Sequence, residues 1–217
     1  MSSEKYVPAL RFKWLTSLYD FIVRITMPEK KIKTRLVETA GISAGQKILD
    51  FGCGTGTLTI MAKQASPDAN ITGIDIDVEI LNKATQKASE KKIDILLIEY
   101  DGKKLPFQSN HFNRVISCLV FHHLNTETKK KILAELHRTI ISNGELYIAD
   151  FGRSKSWVQR KLFNIIRVLD GFKPTEANAK GILPDFIQEA GFIYVSIIER
   201  FKTIFGEVQL LRATKTF

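Results

Sequence analysis

"ILDFGCGTGTLT", residues 48–59, places three glycines within five positions, directly behind an apolar run with the composition of a buried strand. A strand, a tight glycine-rich turn and a helix form a corner where backbone approaches a ligand at the carboxyl end of the first strand of a parallel sheet. The spacing decides what such a corner holds. A dinucleotide fingerprint, GxGxxG, needs its third glycine at position 57, which is Thr57; the actual spacing of Gly52, Gly54 and Gly56 is GxGxG. A phosphate-cradling loop needs Lys followed by Ser or Thr, and no such pair closes this turn. Asp50, just ahead of it, would repel a pyrophosphate but can hold an ammonium group, directly or through water. The turn points to a nucleoside with a cationic rather than an anionic tail.

Outward from the turn, short β-rich runs alternate with helical patterns, the signature of parallel βαβ units. Strands are expected at 47–52, 70–76, 93–100, 113–120 and 144–151. Helices are expected near 57–65, 78–91 and 126–141, the last opening at Thr126 as N-cap. A helix near 182–190, closed by Gly191, precedes two further β-rich runs, 192–201 and 207–214. The link between those runs is too short for a parallel crossover, which takes about a dozen residues, so they form an antiparallel hairpin. The expected fold is α/β, five parallel strands plus a terminal hairpin.

A chain of 217 residues suits one domain, 1–217. No apolar run is long enough to cross a bilayer, and the start, MSSEKYVPAL, lacks the pattern of a secretory signal, so the expected location is cytoplasmic. Cys53 and Cys118 have no disulfide or metal-ligand spacing and read as free, buried thiols, and no metal is expected. The net charge of +9 is unevenly held. Residues 1–40 carry 8 Lys/Arg against 4 Asp/Glu, residues 153–180 carry 7 against 2, and the remainder balances at 17 against 17. Both segments also carry apolar helical stripes: Trp14, Leu18, Phe21, Ile22 and Ile25 in one, Val158, Leu162, Ile165 and Leu169 in the other. An acidic partner, if the charge serves one, meets these two segments.

"ILDFGCGTGTLT", "ITGIDID", "YDGKKLPF", "RVISCLVFHHL" and "GELYIADFGRS" resemble, in order and spacing, the sequence blocks of class I S-adenosylmethionine-dependent methyltransferases. They are most similar to the branch of quinone-biosynthesis and small-molecule methyltransferases, over about residues 45–152. The resemblance implies a Rossmann-like sheet of seven strands in the order 3-2-1-4-5-7-6, strand 7 antiparallel, with helices on both faces. It also implies S-adenosyl-L-methionine as cofactor, and a helical cap, 1–40, and an inserted lid, 153–180, over the acceptor pocket. Departures are Asn113, where Asp is common, and "ISNG" in place of a Pro-Gly-Gly turn; neither falls on an expected cofactor contact.

Carried over residue by residue, the resemblance gives the ribose hydroxyls to Asp75 and the adenine amino group to Asp101, with Gly102 leaving space beside the ring. Asp50, Gly52, Gly54 and Gly56 line the turn, with Cys53 as its small filler and Ile76 and Leu119 beside it. Tyr19, in a Tyr19-Asp20 pair, covers the methionine end. A plainer reading makes Asp101-Gly102 an ordinary turn, while the helix N-cap role after the second strand suits Asp77 better than Asp75. Methyl transfer from a sulfonium chiefly needs alignment and exclusion of water, and a base only if the nucleophile carries a proton. His122, His123 and Asp150 are the candidates for that base on the acceptor side; the alternative is that they merely cap strand ends. His111 and His137 read as surface residues.

The favoured function is methyl transfer to a small hydrophobic or anionic acceptor, lipid- or quinone-like. The basic amphipathic segments suit a peripheral position at an anionic inner-membrane surface. The alternatives are an RNA methyltransferase using those segments, and a non-catalytic S-adenosylmethionine-binding protein. Nucleic acid is disfavoured, because no Asn-Pro-Pro-Tyr-type motif follows strand four and no RNA-binding module is visible; no obligate protein partner is evident.

Overall fold

A strand covered on both faces is buried at consecutive rather than alternate positions, and "KILDF" and "NITGID" each bury four residues in a row. In the computed structural model, which describes residues 27–153, 181–203 and 206–216, they become β1 (Lys47–Phe51) and β2 (Asn70–Asp75). The chain continues through β3 (Leu96–Glu99), β4 (Phe112–Cys118), β5 (Ile140–Gly152), β6 (Ile193–Thr203) and β7 (Gly206–Thr214). They form one seven-stranded sheet in the order β3-β2-β1-β4-β5-β7-β6. The first five pair in parallel, and β7 runs antiparallel to β5 and also to β6, the latter as the short connection between them requires. The Rossmann-like arrangement implied by the resemblance is present.

Among the described residues five helices cover the sheet: α1 (Glu29–Ala40), α2 (Thr57–Ala65), α3 (Val78–Glu90), α4 (Thr126–Thr139) and α5 (Leu183–Glu189). On one face Ile132, Leu133 and Leu136 of α4 and Ile187 of α5 pack on Leu49, Val115, Leu146 and Ile148. On the other, Ile32, Leu36 and Val37 of α1 and Leu58 and Ala62 of α2 pack on Ile48, Ile71 and Ile116. Each such side chain contributes roughly 1.5–3 kcal/mol by leaving water. Asp77 caps α3 as expected, its Oδ1 accepting from Glu79 N and Ile80 N at 2.9 and 3.1 Å.

Several boundaries differ from expectation. The cap of α4 is Asn125, whose Oδ1 accepts from Thr128 N at 2.9 Å, so Thr126 is already the first helical residue. β3 is four residues rather than eight, because it is an edge strand whose pairing with β2 begins only at Thr72 and Leu96. β5 starts earlier than expected, since Ile140 pairs with Phe112 before a register shift. His111 and His137 are half-buried rather than surface residues: one stacks on Phe107 at 6.1 Å and the other sets its edge against Phe192 at 4.9 Å. Of the expected cap only 27–40 is described, and of the segment 153–180 only Arg153; Tyr19, Asp20 and both apolar stripes lie outside the described residues. Gly181, at φ +73°, closes against Arg153, so the two edges of that segment meet: a Cβ on Gly181 would stand 2.8 Å from the Arg153 Cβ. Among the described residues no helix is long and apolar enough to cross a membrane.

Candidate active site

The carboxyl ends of β1, β2 and β4 open into a cleft of about 450 Å³, a size that suits a nucleoside. Two of the three glycines are explained by protein neighbours. A Cβ on Gly52 would lie 2.5 Å from the Val120 side chain, and one on Gly56, which opens α2, 3.0 Å from Ala84 of α3. Only Gly54 has open space where its side chain would be, so that glycine alone keeps backbone bare toward the cleft. The turn is held from below by Ile74 O, which accepts from Gly52 N and Cys53 N at 2.9 Å each. Asp75 Oδ2 holds it from the side, accepting from Gly54 N at 2.8 Å, while Oδ1 accepts from Asp77 N at 3.2 Å.

Asp50 is buried at the floor of this cleft. Its Oδ2 accepts from Thr59 Oγ1 at 2.6 Å, and its Oδ1 has no partner among the described residues. Burial pushes the carboxyl up to about 6, against the Thr59 hydroxyl and the positive charge of Lys33. An unsatisfied buried acceptor is costly, and one facing a cleft is a place for a donor from a ligand. The walls are largely apolar: Ile76, Ile80, Tyr100, Leu119, Val120 and Leu124. Leu119 is held at φ +59°, an uncommon backbone conformation for this residue, by its N–H bond to Ala149 O at 2.8 Å.

The two adjacent histidines lie in the short 3-10 turn Phe121–His123. His122 is buried and bonds through Nδ1 to Asp150 Oδ1 at 2.9 Å. Asp150 is itself saturated. Oδ2 accepts from the N–H groups of Val120, Phe121 and His122 at 3.0, 2.7 and 3.4 Å, and Oδ1 also takes Phe151 N at 2.7 Å. Burial alone would raise this carboxyl, but the imidazole and these backbone donors outweigh it and hold it below the usual carboxylate range. Neither His122 nor Asp150 lines the cleft; His123 does, its ring 3.9 Å from that of His122. Its surroundings and then His122 hold its imidazole below the ordinary value, so it is neutral at neutral pH.

Of the sequence-derived residues, the structure thus gathers Asp50, Gly52, Cys53, Gly54, Asp75, Ile76, Leu119 and His123 around one cleft. Gly56 lies behind it. Asp101 and Gly102 do not line it: Asp101 is exposed and bonds the N–H groups of Lys103 and Lys104 as a turn former, while Gly102 sits beside Ile76. Both cysteines are free, and Cys118 is half-buried rather than buried; burial raises both thiols, that of Cys118 to about 12. Sequence reasoning missed Glu29 and Lys33, which reach the cleft from α1. The spacing of Ile32, Leu36 and Ala40, all buried on α1, was the signal that a helix runs there.

Residues 48–144 match the family model for a methyltransferase domain. The chain is 30% identical over 142 residues to a demethylmenaquinone methyltransferase of Thermus thermophilus, a match covering 64% of each chain. It therefore spans less than two thirds of that relative's length. Among solved structures, a methyltransferase described as putative from Bacillus halodurans superposes with TM-score 0.71 at 16% identity, covering 85% of this chain and 99% of that one. The magnesium protoporphyrin IX methyltransferase of Synechocystis PCC 6803, solved with bound S-adenosylhomocysteine, gives TM-score 0.64 at 21% identity, covering 87% and 83%. The similarities to solved structures show the fold.

Proposed function

We propose that this chain is an S-adenosylmethionine-dependent methyltransferase acting on a small, quinone-like acceptor. The observation that carries the reading is the unpartnered Oδ1 of buried Asp50, a residue that lines a nucleoside-sized cleft beside the bare backbone of Gly54. The demethylmenaquinone methyltransferase relative supports the quinone-like acceptor, and the structural neighbour with bound S-adenosylhomocysteine supports the cofactor.

The residues present fit that cofactor. Asp50 receives the ammonium of the methionine tail, Asp75 the ribose hydroxyls, and Ile76, Leu119 and Tyr100 the apolar adenosine. Asp75 performs two tasks, since the carboxylate that would meet the ribose already braces Gly54. When bound, the cofactor supplies a methyl group already activated on a sulfonium. The chain aligns an acceptor against it and keeps water out. His123, neutral and facing the cleft, accepts the proton that an acceptor hydroxyl or ring carbon must lose. Asp150 and His122 hold the turn that presents it, which makes them positioning residues.

Calorimetry with S-adenosylhomocysteine and NAD tests the cofactor assignment. The first is expected to bind and the second not. Asp75→Ala should weaken binding by roughly 1–3 kcal/mol, through lost hydrogen bonds to a charged acceptor and a loosened turn. Undiminished affinity removes the ribose role from Asp75, and tight NAD binding overturns the cofactor reading. With a demethylated quinol as acceptor, His123→Ala should keep cofactor affinity and lose about 10²- to 10⁴-fold in turnover. Turnover within a few-fold of the parent removes the base role.

A further inference from the structure

Helix α3 grips the glycine turn along its length. At its start, one oxygen of the Asp75 carboxylate takes the N–H of Asp77, the cap of the helix, and the other takes Gly54 N. In its middle, Ala84 lies so close that a Cβ on Gly56 would stand 3.0 Å from the Ala84 Cβ. Lys87, further along the same face, sends Nζ to the hydroxyls of Thr55 and Thr57 at 3.0 and 2.9 Å. The ammonium thus straddles Gly56, where the turn becomes α2 at φ +70°. It is half-buried, and among the described residues no carboxylate bonds to it. Burial and then the charge of Lys33 hold it below the ordinary value, and the amino end of α2 is the end that repels a cation. A cation placed against burial, a like charge and a helix dipole adds little to stability; what it adds is a fixed shape for the turn.

Lys87 does not line the cleft, whereas Gly54 and Thr55 do. An ammonium only donates, so both hydroxyl oxygens are held as acceptors and the chain is pinned on either side of Gly56. Glycine loses more conformational freedom on ordering than any other residue, and a ligand that must itself order such a turn binds more weakly. We propose that Lys87 is a positioning residue for the cleft, latching the glycine turn to α3 so that the backbone of Gly54 and Thr55 holds its binding shape before a ligand arrives. Asp75 and Lys87 then hold the same turn from its two sides, the first through Gly54 and the second through Thr55 and Thr57. The consequence for the cofactor rests on the reading above; the latch itself does not.

The test uses the full chain and two readouts, amide hydrogen exchange without ligand and calorimetry with S-adenosylhomocysteine. In Lys87→Met the amides of 54–57 should exchange about tenfold faster or more, with β1 unchanged, and S-adenosylhomocysteine should bind about 5- to 20-fold more weakly, as for loss of charge-assisted bonds at a partly exposed site. The thermal midpoint should stay within about 3 °C of the parent, and Lys87→Arg should recover most of both losses. Thr57→Val, which removes one acceptor at nearly constant shape, should give the same changes in smaller measure and add little when combined with Lys87→Met. Parent-like exchange at 54–57 in Lys87→Met, faster exchange spread through β1 as well, or affinity losses that simply add in the double variant overturns the latch while the cofactor reading stands. Faster exchange at the turn with unchanged affinity overturns the positioning role. A parent that does not bind S-adenosylhomocysteine overturns the cofactor reading itself, and the exchange comparison then decides the latch alone.

Discussion

Asp50 at the end of β1 and Asp150 at the end of β5 are the same residue, each 1% exposed, and the fold treats them in opposite ways. Asp150 is surrounded by backbone N–H groups and an imidazole and is held ionised; among the described residues Asp50 has one hydroxyl for one oxygen and nothing for the other. Burial therefore wins at Asp50 and loses at Asp150. The difference separates scaffold from site. A carboxylate whose lone pairs are filled by its own chain holds that chain together, whereas one left short of donors is kept for something that arrives.

The sharpest way to break this comparison is Asp150→Ala. It strands the donors of Val120, Phe121, His122 and Phe151 in the interior and should cost about 3–5 kcal/mol. In a chain of this length that lowers the thermal midpoint by on the order of 6–20 °C. A melting curve within a degree or two of the parent would return Asp150 to the list of dispensable acids.

Asp50→Asn should do the reverse, weakening S-adenosylhomocysteine about tenfold or more while its stability relative to the parent improves with pH. The sign follows from the raised carboxyl. Between the unfolded value of 3.8 and the folded value of about 6 the native state binds more protons than the unfolded one, so the parent loses stability as pH rises through that window. The variant lacks this loss, and its advantage should grow by about 2 kcal/mol between pH 4.5 and pH 7, then level off. Denaturant titrations at three pH values measure it; a constant offset would mean that Asp50 is not the buried carboxyl described. Asp150, depressed rather than raised, contributes stability that persists down to about pH 4 and is lost only as pH falls through its folded value.

The smallest effect on folding belongs to His123→Ala, which removes a side chain that faces the cleft and caps nothing. Its thermal midpoint should stay within about 1–2 °C of the parent, the usual range for such sites. In the parent, the pH dependence of turnover should show no step between pH 6.5 and 8 from this group, since its imidazole is already neutral there. A step in that range that vanishes in His123→Ala would show an imidazole far less perturbed than its surroundings imply.

Much of the frame was legible because it is written locally. The glycine turn behind an apolar strand, and the short link ahead of β7, each permit essentially one topology. What was hidden depends on partners distant in sequence. Helix α1 carries six charged residues, Glu29, Lys30, Lys31, Lys33, Arg35 and Glu38, which mask four buried ones and conceal that Lys33 points inward. His137 became half-buried because Phe192 comes to meet it. Nothing in "FHHL" distinguishes its two histidines; the 3-10 turn does, sending His122 to Asp150 and leaving His123 in the cleft. Asn125 prevailed over Thr126 because its side-chain oxygen reaches Thr128 N, a difference of one residue between two good capping types.

The contact between Gly181 and Arg153 bears on how this chain can change over time. Arg153, just after β5, and Gly181, just ahead of α5, are the described residues that flank 154–180, and they stand side by side. Where the two ends of a loop are held together, the entropy of closure rises only with the logarithm of loop length, about 0.6 kcal/mol for each doubling. The number of residues between these two ends therefore weighs little in closure entropy. Gly181 is the position that cannot drift, because any side chain there would push the returning strand of chain away from Arg153 and open the junction.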